Sequence, residues 1–580
     1  MKIRFALLLL FALLPARLGA QCVTVVQGPV VGPWTAAESP YCVVANVTAP
    51  RLTIEAGVEV RVAPGASIVI SGALTAIGTE SAPIVFGALD AGGWLGLEVR
   101  GGAGTVLEHC RVGGSSATGL TLIDSPATLR HCRIEGNSAV GDGGGLVAQI
   151  AAGDLLLTDC AIVDNACAMF GGGIRADLAS GRLVLDRCEL RGNQVVTPVL
   201  SGVDVGGGAL FCSAAQEVAF TDCVIEDNQV AATCSGCTCF AIGSGGGVAV
   251  RASDLRMTRC LVLDNRIEVR DSPFGGCSLE VAVGRGGGVY FDADGCAARL
   301  DNCVFAGNGI SAMANGTDAQ GAGVFADGGV AELRNVTVVR NCAASRGLPT
   351  VFPEAVGGVR IRQDGAVVNS IVYGNVNSIG WASVTSDPQI FGARVVVTYS
   401  DVQNGFPGVG NIHQDPLLAG EGTWCGAVEI GAGSPAIDAG NPARRFADVA
   451  FPPSLGGSRN DMGANGGALA EGWRGWERGA LGLRAEPTRA ACGGARSTLV
   501  FAVSGGAMTA PVGVFLEAVG GTPLPNGPVW LPVPAVFCAP GRTEIAVLFP
   551  VVLCTAPTLT FRAYGLRSSG GLVASSALTW

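Results

Sequence analysis

Four carboxylates stand at or beside one repeated place in this chain: Asp164, Asp227 and Asp264, with Glu226 next to Asp227. Glu226, Asp227 and Asp264 belong to neighbouring repeats, so folding brings them near one another. Clustered carboxylates suit acid–base cleavage of a glycosidic bond, one group donating a proton and the other accepting it. They also suit a hard cation such as calcium. The same places read as turns, where Asp is favoured for backbone reasons alone, and that reading outweighs the catalytic one. A second set is Tyr290 and Phe325 flanked by Arg175 and Arg360. Aromatic faces beside guanidinium groups offer a platform for sugar rings and polar ligands. The competing reading is that segments 266–285 and 309–320 pack over these rings. Other chemistries lack their residues. The three histidines are His109, His131 and His413, with His413 remote in sequence. No Gly-x-Ser-x-Gly elbow and no phosphate loop is present. Cys234, Cys237 and Cys239 have no histidine near them, so a disulfide-tied loop is favoured there and no metal site is assigned.

The elements that position these residues come from a repeat. Cys132-Arg-Ile134-Glu-Gly-Asn137 recurs as Cys160–Asn165, Cys188–Asn193, Cys223–Asn228, Cys260–Asn265 and Cys303–Asn308. Degenerate copies run from Val336 to Asn341 and from Ser370 to Asn375, and an imperfect one starts at Cys110. Two residues after the Cys position stands an apolar residue (Ile134, Ile162, Leu190, Ile225, Val262, Phe305). Three residues before it stands another (Leu129, Leu157, Leu185, Phe220, Met257, Leu300). These two positions have opposite parity, whereas a strand sends alternate residues to opposite faces. The chain must therefore bend between them, at the two residues before the Cys. The Asn marks a second bend.

A Gly cluster and an apolar–any–apolar triplet follow each Asn: Gly143–Ala148, Gly171–Ala176, Gly206–Phe211, Gly245–Val250 and Gly286–Phe291. On this alignment the outward residues of the third strand are Val147, Arg175, Leu210, Ala249, Tyr290, Phe325 and Arg360. Three short strands per repeat make a three-sided coil that can bury its apolar face only by stacking on the next coil. Stacking turns Asn137, Asn165, Asn193, Asn228, Asn265 and Asn308 into a ladder of amides. It turns Cys132, Cys160, Cys188, Cys223, Cys260 and Cys303 into a ladder of buried, mostly free thiols. The residues before the cysteines, Asp159, Arg187, Asp222 and Arg259, alternate in sign and form an ion-pair column headed by His109 and His131.

On these motifs the chain resembles the right-handed parallel β-helix proteins of the pectate-lyase-like superfamily over residues 45–420. The stretch Ser434–Pro442 with Asp461-Met-Gly463-Ala464 resembles the closing module called choice-of-anchor Q. The resemblance implies an all-β, three-sided right-handed solenoid of an exported bacterial surface protein, with carbohydrate-cleaving relatives that use clustered carboxylates or calcium.

Residues 1–20, with Lys2, Arg4 and an apolar run from Phe5 to Leu14, read as a secretory signal. Residues 21–44 read as an N-terminal cap closed by a Cys22–Cys42 bridge, 421–480 as closing module and linker, and 481–580 as a small β-sandwich-like domain. Lys2 is the only lysine, and the net charge is −10. That balance, with no basic block, argues against nucleic acid as the partner. No later apolar run is long enough for a transmembrane segment. Between the Asn and the Gly cluster the linkers lengthen from 138–142 to 266–285, so long loops crest one edge of the solenoid, where binding commonly resides. The expected partner is a glycan or a cell-surface protein and the expected setting is secreted or cell-surface; a non-catalytic binding role is favoured narrowly over a polysaccharide lyase or glycoside hydrolase and over a structural surface protein.

Overall fold

The computed structural model describes residues 22–472 except 200–202, 235–239, 272–280, 315, 347–353, 380–381, 385–387, 419–427 and 452; from 473 onward it describes the strands alone. The signal segment and the Cys237–Cys239 loop thus lie outside the described residues. Within the rest, the repeat forms strands such as Leu155–Thr158, Ala161–Val163 and Ile174–Leu178, one for each face of a coil. Every strand pairs in parallel with its counterpart in the next coil, as in Leu157↔Leu185, Ile162↔Leu190 and Ala148↔Ala176. The first face stacks twelve strands, from Leu52–Ile54 to Arg394–Thr398. Residues 24–34 are not a separate cap. Thr24 pairs with Tyr41 and Trp34 with Ile54, both in parallel, so this segment is the first coil. It is pinned by the Cys22–Cys42 disulfide, Cα–Cα 5.6 Å.

The first bend is sharper than the two residues expected. The residue before the Cys turns the chain alone, with φ between 48° and 53° at His109, His131, Asp159, Arg187, Asp222, Arg259 and Asn302. The second bend falls one residue before the Asn, at Asp164, Asp227, Asp264 and Arg340 or at Gly136, Gly192, Gly307 and Gly374, all with positive φ. Asp and Asn enter the left-handed region more readily than most residues, and Gly does so freely. The third bend needs glycine for space as well as φ: a Cβ on Gly245 would sit 2.3 Å from the Val248 carbonyl oxygen.

The Asn follows that bend and points inward. Asn228 Nδ2 donates to Asn265 Oδ1 (2.8 Å) and to the Leu190 carbonyl (2.9 Å), and its own Oδ1 accepts from Asn193 N and Nδ2 at 3.0 Å each. The amide-to-amide chain continues from Asn137 to Asn375 and ends on Gln389 Oε1 at 2.9 Å. The cysteine column has a comparable task. Cys188 N donates to Cys223 Sγ (3.4 Å), and Cys223 Sγ donates to the Thr221 carbonyl (3.3 Å). Ser370 does the same with oxygen, accepting from Val336 N at 3.2 Å and donating to Val368 O at 2.8 Å. The ladder cysteines Cys132, Cys160, Cys188, Cys223, Cys260 and Cys303 are free thiols, and burial pushes Cys223 and Cys260 well above the ordinary thiol range.

The crest is not a set of loops. Gln194–Val199, Gln229–Cys234, Arg266–Asp271 and Gly309–Met313 form an outgoing parallel sheet; Val203–Gly206, Phe240–Ser244, Val281–Arg285 and Gly316–Gln320 form a returning one. Between them lies a second apolar core of Val195, Val205, Val230, Ala241, Ile267, Val269, Ala282, Ile310 and Ala319. This insertion is a fin built on the coil.

The division by contacts places residues 415–461 and 465–580 in a second unit, while Met462–Ala464 belongs with the helix. Asn302 Nδ2 and Asn335 Nδ2 donate to the carbonyls of Ala464 (2.8 Å) and Gly463 (3.2 Å), so Asn335, in a sequon, is engaged and buried. Within the second unit, Asp438, Asp448 and Asp461 accept backbone N–H groups, including Gly457 N on Asp438 at 2.8 Å and Asp461 N on Asp448 at 3.0 Å. The C-terminal strands form two antiparallel sheets, one around Ser497–Ser504 and Arg542–Phe549, the other around Gly513–Val519 and Leu559–Leu566.

Asn228→Ala leaves the Leu190 carbonyl and two donors of Asn193 without partners, at roughly 1–3 kcal/mol for each buried group. The expected outcome is a large drop in the urea midpoint. Cys223→Ser should cost less than Cys223→Ala in the same measurement, because a hydroxyl still accepts the Cys188 amide.

Candidate functional site

The third-face strands present their outward side chains to the non-core face of the returning fin sheet, and the two surfaces meet at the Gly bends. Strand register corrects one residue of the expected column. Leu210 pairs with Val248 and Phe211 with Ala249, so Phe211 points outward and Leu210 inward. Ala209 replaces the third glycine of the bend here, which shifts the triplet by one place. The outward column is therefore Val147, Arg175, Phe211, Ala249, Tyr290, Phe325 and Arg360.

Tyr290 is 1% exposed and Phe325 0%, and both pack with Phe211, Ala249 and Phe170. They cannot present ring faces to a sugar from solvent. Ion pairs from the returning sheet reach the same face of the coil. Guanidinium groups lie over the rings. Arg175 sits 4.5 Å from the Phe211 ring centre, Arg251 5.2 Å from Phe211 and 5.8 Å from Tyr290, and Arg362 5.5 Å from Phe325. Arg360, at the far end, lies 4.0 Å from Phe391 instead.

Carboxylates alternate with the cations. Arg175 pairs with Asp177 at 3.0 Å, and Arg362 with Asp327 at 3.0 Å. Two pairs tie fin to coil: Arg251 to Asp204 of the fin at 2.7 Å, and Arg285 of the fin to Asp327 at 3.8 Å. The Tyr290 hydroxyl donates to Asp292 at 3.0 Å. Fin and coil thus meet along a buried seam, with the apolar layer of Phe211, Ala249, Tyr290 and Phe325 on one side and groups of mixed charge beside it. Its centre carries polar atoms with no protein partner among the described residues: Ser244 Oγ, Arg251 Nε, Arg285 Nε and Asp204 Oδ1. Ser244 is fully buried. Buried polar atoms are nearly always satisfied by protein, water or ligand. Of these residues Arg175, Tyr290 and Phe325 were legible in the repeat. Ser244, Arg251, Asp204 and Arg285 were not, because they come from the fin or from the far end of the strand.

The structure also brings Glu226, Asp227 and Asp264 together. Asp227 and Asp264 occupy the same left-handed bend in adjacent coils, and elsewhere that column alternates Asp with Gly: Asp164 is followed by Gly192 and Asp264 by Gly307. A Cβ on Gly307 would lie 2.2 Å from Asp264 Oδ1, so the carboxylate occupies the room that the glycine leaves. Asp264 is 9% exposed, and its carboxyl is pushed up to about 7, first by burial and then by the negative charges of Glu226 and Asp227. Burial likewise raises Glu226, against the attraction of Arg191, 3.9 Å away. A carboxyl that keeps its proton near neutrality beside ionised neighbours has the makings of a general acid. Most of these Asp residues are accounted for by the bend. Among the described residues no group of three His, Cys, Asp or Glu side chains is placed to hold a metal ion.

Comparison with known proteins agrees with the coil. A family model described as right handed beta helix region matches residues 89–253. The fold is a right-handed parallel β-helix. A similar solved structure is the crystal structure of pectate lyase Pel9A, with 12% identity, 71% of this chain and 88% of that chain covered, and a TM-score of 0.25. No curated protein matches the chain. No helix among the described residues is long and apolar enough to cross a membrane.

Asp264 has a folded pKa above the ordinary carboxyl value of about 3.9. Its contribution to stability is complete below that value and disappears as pH rises through about 7. The β-helix should therefore unfold at lower urea at pH 8 than at pH 5. Asp264→Asn, which keeps a residue suited to the left-handed bend, should flatten that difference by an amount on the order of 2 kcal/mol.

Proposed function

We propose that this is an exported, non-catalytic β-helix protein that holds an extended glycan along the seam between fin and coil. The observation that carries the reading is the set of buried donors along the seam where fin meets coil: Ser244 Oγ, Arg251 Nε and Arg285 Nε have no protein acceptor among the described residues. Coils repeat about every 4.8 Å, so a seam along the axis suits a polymer better than a compact molecule. Paired guanidinium and carboxylate groups match the mixed donors and acceptors of sugar hydroxyls. The fin is β-sheet with a core of its own, which holds these groups in place before binding and reduces the ordering cost.

The second reading is glycan cleavage at the corner where Asp264 retains its proton beside Glu226 and Asp227. A glycan array, with reducing-sugar and unsaturated-uronate assays on each glycan bound, separates the two. Binding without turnover is expected. Arg285→Ala and Ser244→Val should each weaken binding by about tenfold, the equivalent of one lost hydrogen bond to a charged or buried group. Turnover that disappears in Asp264→Asn would replace this reading with the second.

A further inference from the structure

The remaining polar column of the coil, at the first bend, divides into three parts. Asp159 with Arg187 and Asp222 with Arg259 form bidentate ion pairs at 2.8 to 2.9 Å. Asn302 and Asn335 hold the Met462–Ala464 segment. The first two places hold His109 and His131, which account for two of the three histidines in the chain. Their rings are stacked, centres 4.6 Å apart and planes within 13°.

The backbone fixes this arrangement. Glu108 and Arg130, the residues just before them, are register partners. The φ angles are 48° and 50°, so the two side chains leave the coil in the same direction. Three main-chain hydrogen bonds pin the bends: His109 N to Arg130 O at 2.9 Å, His131 N to Thr158 O at 3.0 Å, and Ile84 N to His109 O at 3.0 Å. His131 is exposed and His109 half-buried.

We infer that His109 and His131 form a two-imidazole site for a borderline divalent transition metal ion. Imidazole nitrogen binds such ions at about 2.0–2.1 Å, so two nitrogens on adjacent coordination positions lie about 3 Å apart. The ring centres are 4.6 Å apart in the stacked arrangement, so the two surface side chains turn about χ1 and χ2, out of the stack, until their ring nitrogens converge on one ion. Imidazole suits Ni²⁺, Cu²⁺ and Zn²⁺. The next residue of the column, Asp159, is occupied by Arg187, so the protein supplies two ligands and leaves the other positions to solvent or a second molecule. The site is far in sequence from the seam residues and does not depend on the glycan reading.

The test uses untagged full-length protein and the Ni²⁺–nitrilotriacetate complex, whose ligand leaves two adjacent coordination positions vacant. Titration calorimetry should show one complex bound per chain. Two imidazoles acting together gain effective concentration over one, so His109→Ala and His131→Ala should each weaken binding on the order of a hundredfold. His413→Ala should leave binding unchanged. Thermal unfolding of each variant, recorded without nickel, shows whether the coil is intact; if an alanine variant unfolds, His131→Asn, suited to the left-handed bend, takes its place. Equal binding by wild type and the His109→Ala/His131→Ala double variant, or no binding by folded wild type, overturns the inference and leaves the stack a bend ornament only.

Discussion

The asparagine column is the constraint on which the rest of the molecule rests. Each amide donates both to the next coil's amide and to the previous coil's carbonyl, and accepts from two donors, as at Asn228. A buried amide used this fully tolerates no slip. A coil displaced by one residue would bury unpaired polar groups and also turn its apolar side chains outward. Ladder and hydrophobic core therefore enforce the same register. The cysteine column reinforces it by accepting the amide freed at the first bend, and Ser370 and Ser400 show that the hydrogen bond matters there more than the sulfur.

Once register is enforced, every side-chain choice acts along a column. A bend residue meets its counterparts in the coils above and below, so Asp is comfortable beside Gly or Arg and uncomfortable beside Asp. The Asp159–Arg187 and Asp222–Arg259 pairs follow that logic. Asp227 and Asp264 break it, and there burial first, then the charges of Glu226 and Asp227, push the Asp264 carboxyl up to about 7. Local conflict of this kind marks either function or drift. The same columnar rule brings two histidines into a stack.

The fin extends the coil's logic outward. Its strands alternate, as Ile267 and Val269 face the second core while Arg266, Glu268 and Arg270 face away. Such alternation was open to reading in segments 229–234 and 266–271, yet variable length made them look like loops. Where the returning sheet reaches the third face through Arg251–Asp204 and Arg285–Asp327, aromatic rings that would be surface groups on a bare solenoid are buried.

Much of the architecture was legible without coordinates. Spacing alone identified three strands per coil, the inward Asn and Cys columns, the ion-pair column and the Cys22–Cys42 bridge, because each depends on periodicity or on proximity along the chain. The family-model match to residues 89–253 agrees with that reading. What spacing could not supply was anything decided between segments remote in sequence. The exposure of Tyr290 and Phe325, the outward place of Phe211, and the approach of Asp204 and Ser244 to Arg251 and Arg285 depend on how the fin folds back onto the coil. Periodicity says which way a side chain points; only the packed chain says what it meets.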